Sequence, residues 1–336
     1  MPNNVTFRKF RDLSEHPELV EKIDQLLEEV CQHDGVAAFS EAFVRGIAED
    51  QGHRHIVAVE STGESKDDVV GVLGLDPSST VEMAVSPSRR HCGVGRELLD
   101  RAITDFQLEG ALEVWAHGDS SAAQKLVESV GGRRTRELLK MAVSCEPGSS
   151  RREELERGAE EARERIVGQD VEILNYVAAI DKYGEELVDQ EWVRVNNEAF
   201  AWHPEQGGWD LERLVEARNT AWFEPAGVWM LWAEDPVSEE PRCLGFHWTK
   251  IPVDQMEKPE GKRAGEVYVV CLADEARGRG LGGAITLVGI EYLLEQGAGL
   301  VELYVEGDNA PAVATYQHLG FEVVQTDVVY RGEKRE

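Results

Sequence analysis

Gly265-Glu266-Val267-Tyr268-Val269-Val270-Cys271-Leu272, followed by Arg277-Gly278-Arg279-Gly280-Leu281-Gly282-Gly283, is the stretch around which this chain is organised. An apolar, β-rich run stops at a turn of glycine and arginine and restarts as a helix, which predicts strand, anion-binding loop, helix. Glycines at 278, 280, 282 and 283 remove the Cβ atoms that would block close backbone approach. Several N–H groups opening a helix at Leu281 can then point at one anion. Arg277 and Arg279 add positive charge. The nucleotide-binding P-loop uses the same physics, but no Gly-Lys-Ser/Thr closes this turn. Gly278-x-Gly280-x-x-Gly283 matches the dinucleotide pattern formally, with Glu302 at about the expected distance beyond it. Such a match is common in glycine-rich turns and does not decide by itself.

A version of the stretch occurs twice. Arg90-His91-Cys92-Gly93-Val94-Gly95 follows another β-rich run, Val81-Glu82-Met83-Ala84-Val85, and precedes another amphipathic segment, Glu97 to Phe106. Val114-Trp115-Ala116-His117-Gly118-Asp119 answers Leu303-Tyr304-Val305-Glu306-Gly307-Asp308, and Gly131-Gly132 answers Gly320-Phe321. Gly280 lies 187 positions after Gly93, Gly307 lies 189 after Gly118, and Gly320 lies 189 after Gly131. Three matches at nearly one offset indicate a duplicated domain.

The Arg-x-x-Gly-x-Gly turn after a strand, with Asn309 and a Tyr316-x-x-x-Gly320-Phe321 ending, resembles the GNAT family of acetyl-CoA-dependent N-acetyltransferases. Further motifs are Asn196-Asn197, Ala199-Phe200, His203-Pro204-Glu205-Gln206-Gly207-Gly208-Trp209 and Gly245-Phe246-His247-Trp248-Thr249-Lys250. With the tandem arrangement, these are similar to the branch that acetylates the cysteinyl amine of cysteinyl-glucosaminyl-inositol. The resemblance implies an α/β fold of two tandem GNAT-like acyltransferase domains, each a mixed central sheet flanked by helices. Residues 1–148 would be a non-catalytic N-terminal domain, 149–167 a charged linker helix, and 168–336 the catalytic domain. The rival enzyme is a GNAT acetyltransferase for another amine, such as a protein N-terminus or an aminoglycoside. A catalytically silent acyl-CoA sensor is the alternative from a different class.

Composition sets bounds. A chain of 336 residues, 42% apolar, is long enough for two ordinary domains, each with its own core. No apolar run approaches the roughly 20 residues of a membrane helix. Met1-Pro2-Asn3-Asn4 opens no signal peptide, so the expected compartment is the cytosol. Cys31, Cys92, Cys145, Cys243 and Cys271 are odd in number and lack metal-ligand spacing, so free thiols and no metal are expected. A net charge of −29 argues against nucleic acid and favours solubility or cationic ligands. A monomer without membrane partners is expected. Acetyl-CoA is polyanionic, so its binding depends on local basic turns. Arg151 to Arg165, dense in both charge signs, reads as a solvated spacer helix.

Acetyl transfer from a thioester to an amine has four needs: hold the cofactor, free the amine lone pair, stabilise the oxyanion and protonate the departing thiolate. By resemblance, the turn Arg277, Gly278, Arg279, Gly280, Leu281, Gly282 and Gly283 holds the pyrophosphate. Val270, Cys271 and Leu272 pair with the pantetheine amides, a backbone N–H there meets the oxyanion, and Asn309, Ala310, Pro311, Ala312, Val313 and Ala314 add cofactor contacts. Glu266 shares a strand face with Tyr268 and Val270 by period-two alternation. Resemblance implies substrate binding and base catalysis for it; a solvent-facing edge Glu is the other possibility. Tyr316 resembles the family's general acid, a phenol of pKa about 10 facing a thiol of about 8.5; a core Tyr beside Leu319 and Phe321 is the alternative. Substrate contacts implied by resemblance are Glu41, Glu205, Lys250, Glu266 and Tyr304. Ser40-Glu41 is also an ordinary helix start. His203 and His247 have no paired ligand spacing and read as packed or hydrogen-bonded. Cys271 reads as a small buried hydrophobe, and the many tryptophans of the second half as core.

In the first half, Met83, Ala84, Val85, His91, Cys92, Gly93, Val94, Gly95 and Arg96 would be the matching cofactor contacts. The two offsets place Ser79 against Glu266 and Val127 against Tyr316. The first half therefore keeps the turn but lacks both catalytic candidates.

Overall fold

The computed structural model describes residues 4–61, 67–106, 112–201, 206–235 and 238–332. In chain order the first elements are β1 (Val5–Phe10), α1 (Pro17–Asp34), α2 (Glu41–Ala48), β2 (Arg54–Ser61), β3 (Asp67–Leu75), β4 (Thr80–Val85), α3 (Val94–Asp105), β5 (Glu113–Ala116), α4 (Ser121–Ser129) and β6 (Gly132–Ser144). Then come α5 (Ser150–Val167), β7 (Glu172–Asn175), α6 (Tyr176–Tyr183), α7 (Glu185–Ala199), α8 (Leu211–Arg218), β8 (Val228–Glu234) and β9 (Pro241–Lys250). The chain closes with α9 (Val253–Met256), β10 (Arg263–Leu272), α10 (Leu281–Glu295), β11 (Ala298–Glu306), α11 (Ala310–His318) and β12 (Glu322–Gly332).

Two compact units result, and neither is continuous in sequence. The first takes the residues up to Leu139, Glu306–Asp308 and those from Gln325 onward; the second takes Lys140–Val305 and Asn309–Val324. In the first unit, β1 to β4 pair antiparallel in sequence order, β4 pairs parallel with β5, and β12 pairs antiparallel with β5. Helices α1 and α2 cover one face through Ile23, Leu26, Val30, Phe43 and Ile47. Helix α3 covers the other through Val94, Leu98, Leu99 and Ala102. In the second unit the order is β6-β11-β10-β9-β8-β7, with β10 and β11 parallel. One face packs on α10 and α5, the other on α6, α7 and α8. Each unit is thus a mixed sheet between helices, as the family resemblance implied.

Local chemistry sets several boundaries. Strand β7 stops at Asn175, whose side chain accepts from Ala178 N at 2.9 Å and caps α6. The connection between β9 and β10 contains the short helix α9. The charged helix expected to be solvated is so on one side only. Leu155, Ala159, Ala162 and Ile166 of α5 are buried, and a Cβ at Gly158 would already touch Leu287 of α10 at 3.5 Å. Arg163 Nη2 reaches Glu291 at 2.7 Å and Arg152 Nη2 donates to Leu294 O at 3.0 Å, so part of the charge serves docking. Small residues at helical spacing allow that close approach.

One polar cluster in the first unit had no counterpart in the sequence reading. His117 Nε2 lies 3.2 Å from Glu82 Oε1 and its Nδ1 lies 3.2 Å from Asp327 Oδ2. Both carboxylates are almost fully buried. Glu82 also accepts from Ser40 N at 2.7 Å, and Asp327 from Gly118 N at 2.9 Å. The cluster ties together β4, the start of α2, the end of β5 and the last strand. Burial alone would depress the imidazole, but the bonds to Asp327 and Glu82 outweigh it and raise the group to about 9. The folded value lies above the unfolded one of about 6.5, so the stabilisation is complete below that pH and is lost as pH rises through about 9. His117→Gln should therefore lower the thermal midpoint of unfolding, by an amount equivalent to about 3–5 kcal/mol for a broken buried pair. The gap to the parent should be widest near pH ~6 and close at alkaline pH; a gap independent of pH would assign His117 to packing alone.

Candidate active site

The site of the second unit begins where two parallel strands part. The β10–β11 ladder runs to Val267–Leu303 and stops, while β10 stays paired with β9 as far as Leu272–Gly245. Tyr268 is the extra residue of a bulge in the β10–β9 pairing, which bends a strand and increases its twist. Beyond this point β10 presents the backbone of Val270, Cys271 and Leu272 along an edge that β11 no longer covers. Cys271 is buried, and burial holds its thiol well above the ordinary range, so it is packing and not a nucleophile.

The chain then makes a short turn at Asp274–Ala276 and enters the glycine stretch. Gly278 and Gly280 have φ of +75° and +73°, and Gly280 is the N-cap of α10. These two glycines are required by the backbone. Gly282 and Gly283 are not: a Cβ there would meet Leu272 Cδ1 at 3.6 Å and Thr315 Cγ2 at 3.5 Å, ordinary contact. No protein atom stands closer, so side chains at 278, 280, 282 and 283 would fill space the protein leaves open over the first turn of α10. The orphan N–H groups of that turn suit an anion. Arg277 Nη2 pairs with Asp274 at 3.1 Å and Arg279 Nε donates to Gln169 Oε1 at 3.2 Å, which positions both beside the turn. Leu281 is fully buried and anchors the helix.

Thr315 brings α11 against the same turn. Asn309 caps α11, accepting from Ala312 N at 3.3 Å, and Ala310, Pro311, Ala312, Val313 and Ala314 form its first turns. Tyr316 on this helix is half-buried, its ring 5.8 Å from that of Phe321. Burial pushes its phenol up to about 12, and among the described residues its Oη makes no hydrogen bond.

Glu266 lies one residue before the ladder ends. It is the register partner of Lys250 on β9 and of Glu302 on β11. Lys250 Nζ is 3.3 Å from Glu266 Oε2 and sits over the rings of Trp222 and Tyr268, at 5.2 and 5.4 Å. Burial raises the Glu266 carboxyl; Lys250 opposes the rise and Glu302 adds to it. Trp248 completes the wall, 5.1 Å from Tyr268 and 5.5 Å from Trp222. Tyr304 is exposed, with Lys140 Nζ 5.8 Å from its ring.

The remaining candidates separate. Glu205 lies outside the described residues, as do Trp202 and His203. The chain just after them is fixed to α7: Asn196 Nδ2 donates to Gln206 O at 2.7 Å, and Asn197 exchanges bonds of 2.7 and 2.8 Å with the Trp209 backbone. Glu41 is exposed at the start of α2 in the first unit, behind its N-cap Ser40. His247 is fully buried, 3.1 Å from Ile285 O, and burial lowers it to about 4. Gly289 makes room for it, since a Cβ there would stand 2.0 Å from its Nδ1. Among the described residues no cluster of three His, Cys, Asp or Glu could hold a metal, and no helix is long and apolar enough to cross a membrane.

The first unit repeats the frame with changes. The β4–β5 ladder ends at Val81–Val114, His91 and Gly93 have φ of +60° and +89°, and Gly93 opens α3. A cavity of about 350 Å³ is lined by Met83, Ala84, Val85, His91, Gly93, Gly95 and Arg96 among others; Cys92 and Val94 are not part of its wall. Arg90 is committed to Asp34 by two bonds of 2.8 and 2.7 Å. Strand β4 has no bulge, so its register with β5 sets Thr80 and Glu113 where β10 and β11 carry Glu266 and Glu302. This corrects the sequence match of Glu266 to Ser79 by one residue, the one in the bulge. Thr80 is no more a base than Ser79.

The model of the acetyltransferase (GNAT) family matches residues 18–131 and 192–321, one segment for each glycine turn. The chain is 56% identical over 339 residues to the mycothiol acetyltransferase of Corynebacterium urealyticum, covering 98% of both chains. It is 52% identical to that of Corynebacterium jeikeium, over 98% of this chain and 99% of the relative. With that of Rhodococcus jostii it shares 39%, over 92% and 93%. Among solved structures, a GCN5-related N-acetyltransferase from Sphaerobacter thermophilus superposes with a TM-score of 0.66 at 19% identity, over 100% and 98% of the two chains. A tandem GNAT protein of the clavulanic acid biosynthesis pathway gives 0.61 at 17%, over 99% and 100%. Fold and sequence agree: the chain belongs to the acetyltransferase (GNAT) family, in its mycothiol acetyltransferase branch.

Proposed function

We propose that the second unit transfers the acetyl group of acetyl-CoA to the cysteinyl amine of cysteinyl-glucosaminyl-inositol, giving mycothiol, with Glu266 as base and Tyr316 as proton donor. The carrying observation is Glu266 itself. It is a largely buried carboxylate 3.3 Å from Lys250, placed where β10 and β11 part and on the strand that leads to the anion turn. The turn fits a coenzyme diphosphate, because side chains at its four glycines would occupy the open space above the α10 N-terminus. Acetyl-CoA, when bound, supplies an activated acetyl thioester.

The residues of this chain then divide the work. Arg277, Arg279 and the N–H groups opening α10 hold the diphosphate, and the free edge of Val270, Cys271 and Leu272 holds the pantetheine amides. A backbone N–H of that edge is the donor for charge developing on the carbonyl oxygen. A cationic amine with many hydroxyls suits Glu266, Lys250, Tyr304 and Glu205. Burial lifts the Glu266 carboxyl towards the α-ammonium value of about 7.7–8.0, which makes proton removal less uphill than for an ordinary carboxylate. Tyr316 stays protonated at neutral pH. Its pKa of about 12 lies above that of a thiol near 8.5, so Tyr316 serves the departing sulfur first as a hydrogen-bond donor. The first unit binds acyl-CoA in its own cavity without catalysing, since Thr80 and Val127 stand where Glu266 and Tyr316 would be needed. Residues 149–167 join this half to the catalytic half, 168–336. A cytosolic monomer without a metal suffices for this chemistry.

Glu266→Gln should lower turnover most at low pH, because the amide keeps shape and hydrogen bonding but takes no proton, and the loss should shrink as the amine deprotonates unaided above its pKa of about 8. A rate equal to the parent at saturating amine across about pH 6 to 9 would remove the base role. Tyr316→Phe should slow transfer by about 10²–10⁴-fold with acetyl-CoA affinity nearly unchanged; an equally active Phe variant would make Tyr316 a packing residue. Gly280→Glu, which places an anion in the turn, should abolish transfer, while the matched Gly93→Glu should leave appreciable turnover. Both proteins need to be shown folded by circular dichroism before rates are compared, and loss of activity in folded Gly93→Glu would end the division of labour between the halves.

A further inference from the structure

Four neighbouring strands of the second unit carry one charge each in a row: Lys250 on β9, Glu266 on β10, Glu302 on β11 and Lys140 on β6. Lys140 Nζ lies 2.9 Å from Glu302 Oε1, as Lys250 Nζ lies 3.3 Å from Glu266 Oε2. The four side chains are only 17–25% exposed. Glu266 and Glu302 are direct register partners on one face. Backbones of neighbouring strands are about 5 Å apart, and like charges directly opposite each other destabilise a sheet. Two carboxylates at the centre of the row, each with its own lysine on the outside, are therefore an arrangement with a stability cost. Glu302 has no further role in the reaction as set out above, and neither does Lys140.

We propose that Glu302 and Lys140 are positioning residues for the acetyl transfer: as a counter-pair beside Glu266 they set its affinity for the proton it removes, Glu302 raising that affinity and Lys140 limiting the rise. The inference rests on Glu266 being the base. A base too weakly basic leaves the substrate ammonium protonated, and one too strongly basic is already protonated at working pH. Burial supplies most of the upward push on Glu266, and Glu302 adds to it against the pull of Lys250. Lys140 keeps the two carboxylates from driving each other neutral. Among the described residues, Tyr268 on β10, with Arg213 of α8 acting on it, and Tyr304 on β11 also border Glu266 and Glu302, and the Arg136–Glu306 pair lies further along β6 and β11. Burial holds the Tyr268 phenol above its ordinary value, and Glu266 adds to this, so it brings no charge at neutral pH.

The test is the pH profile of kcat/KM in four proteins: parent, Glu302→Gln, Lys140→Met and the double variant. Glu266→Gln is run beside them to identify the acid-side break that belongs to Glu266. That break should move down by about one pH unit in Glu302→Gln, up by a similar amount in Lys140→Met, and return near the parent position in the double variant. A merely structural pair would lower activity without moving the break, and that result, or shifts of the same sign in both single variants, overturns the proposal. Should Glu266→Gln lose no break at all, Glu266 is not the base and the reading of the site falls first. Should its break vanish while the others stay fixed, only the counter-pair falls. Glu302→Gln keeps shape and bonding to Lys140, so it remains informative even if Lys140→Met folds poorly.

Discussion

The second unit depends on one event in its sheet: the parallel ladder between β10 and β11 ends at Val267–Leu303 while the antiparallel ladder to β9 continues. A strand paired on one edge only must satisfy its other edge elsewhere. Here that edge runs directly into the glycine turn that opens α10, so free backbone groups of the strand and of the helix N-terminus follow one another along the chain. The bulge at Tyr268 belongs to the same event, because the extra residue lets β10 bend away from β11 without losing β9. Glu266 stands immediately before the fork, which is why one side chain can reach whatever enters it.

Charge is handled locally in a chain that is strongly acidic overall. A net charge of −29 repels a polyanionic coenzyme at long range, yet salt screens exposed charges beyond about 10 Å. Local positive charge lies at the first turn of α10, with two arginines held beside it by Asp274 and Gln169. On the acceptor side the same acidity is an asset, since a cationic amine approaches a surface that attracts it. Lys250 opposes the rise that burial gives the Glu266 carboxyl, and the rings of Trp222 and Tyr268 lie against that lysine.

The two units show how a duplicated frame diverges. Both fork a parallel strand pair above a glycine turn, and both start the following helix from a glycine in the left-handed region. The first lacks the bulge, commits Arg90 to Asp34 and encloses a charged His117 between Glu82 and Asp327. Those changes turn groups that could serve a ligand towards partners within the protein.

Sequence by itself determined the α/β class, the duplication, the two glycine turns and the residues lining the second of them, because these depend on local periodicity and on backbone freedom at a few positions. Resemblance added Glu266, Tyr316, Lys250 and Tyr304, and the structure sets the first three on elements that border the fork and its turn. Only the tertiary structure decided the rest. That residues from Gln325 onward join the first unit depends on strand pairing between positions some two hundred residues apart, for which a single sequence carries no signal. The same holds for Asp327 opposite His117, and for Lys140 opposite Glu302. The bulge at Tyr268, which moved the partner of Glu266 from Ser79 to Thr80, is a property of register with β9 and not of any residue type. Local structure is written along the chain, whereas the charge around a half-buried carboxylate such as Glu266 is set by which strands lie side by side.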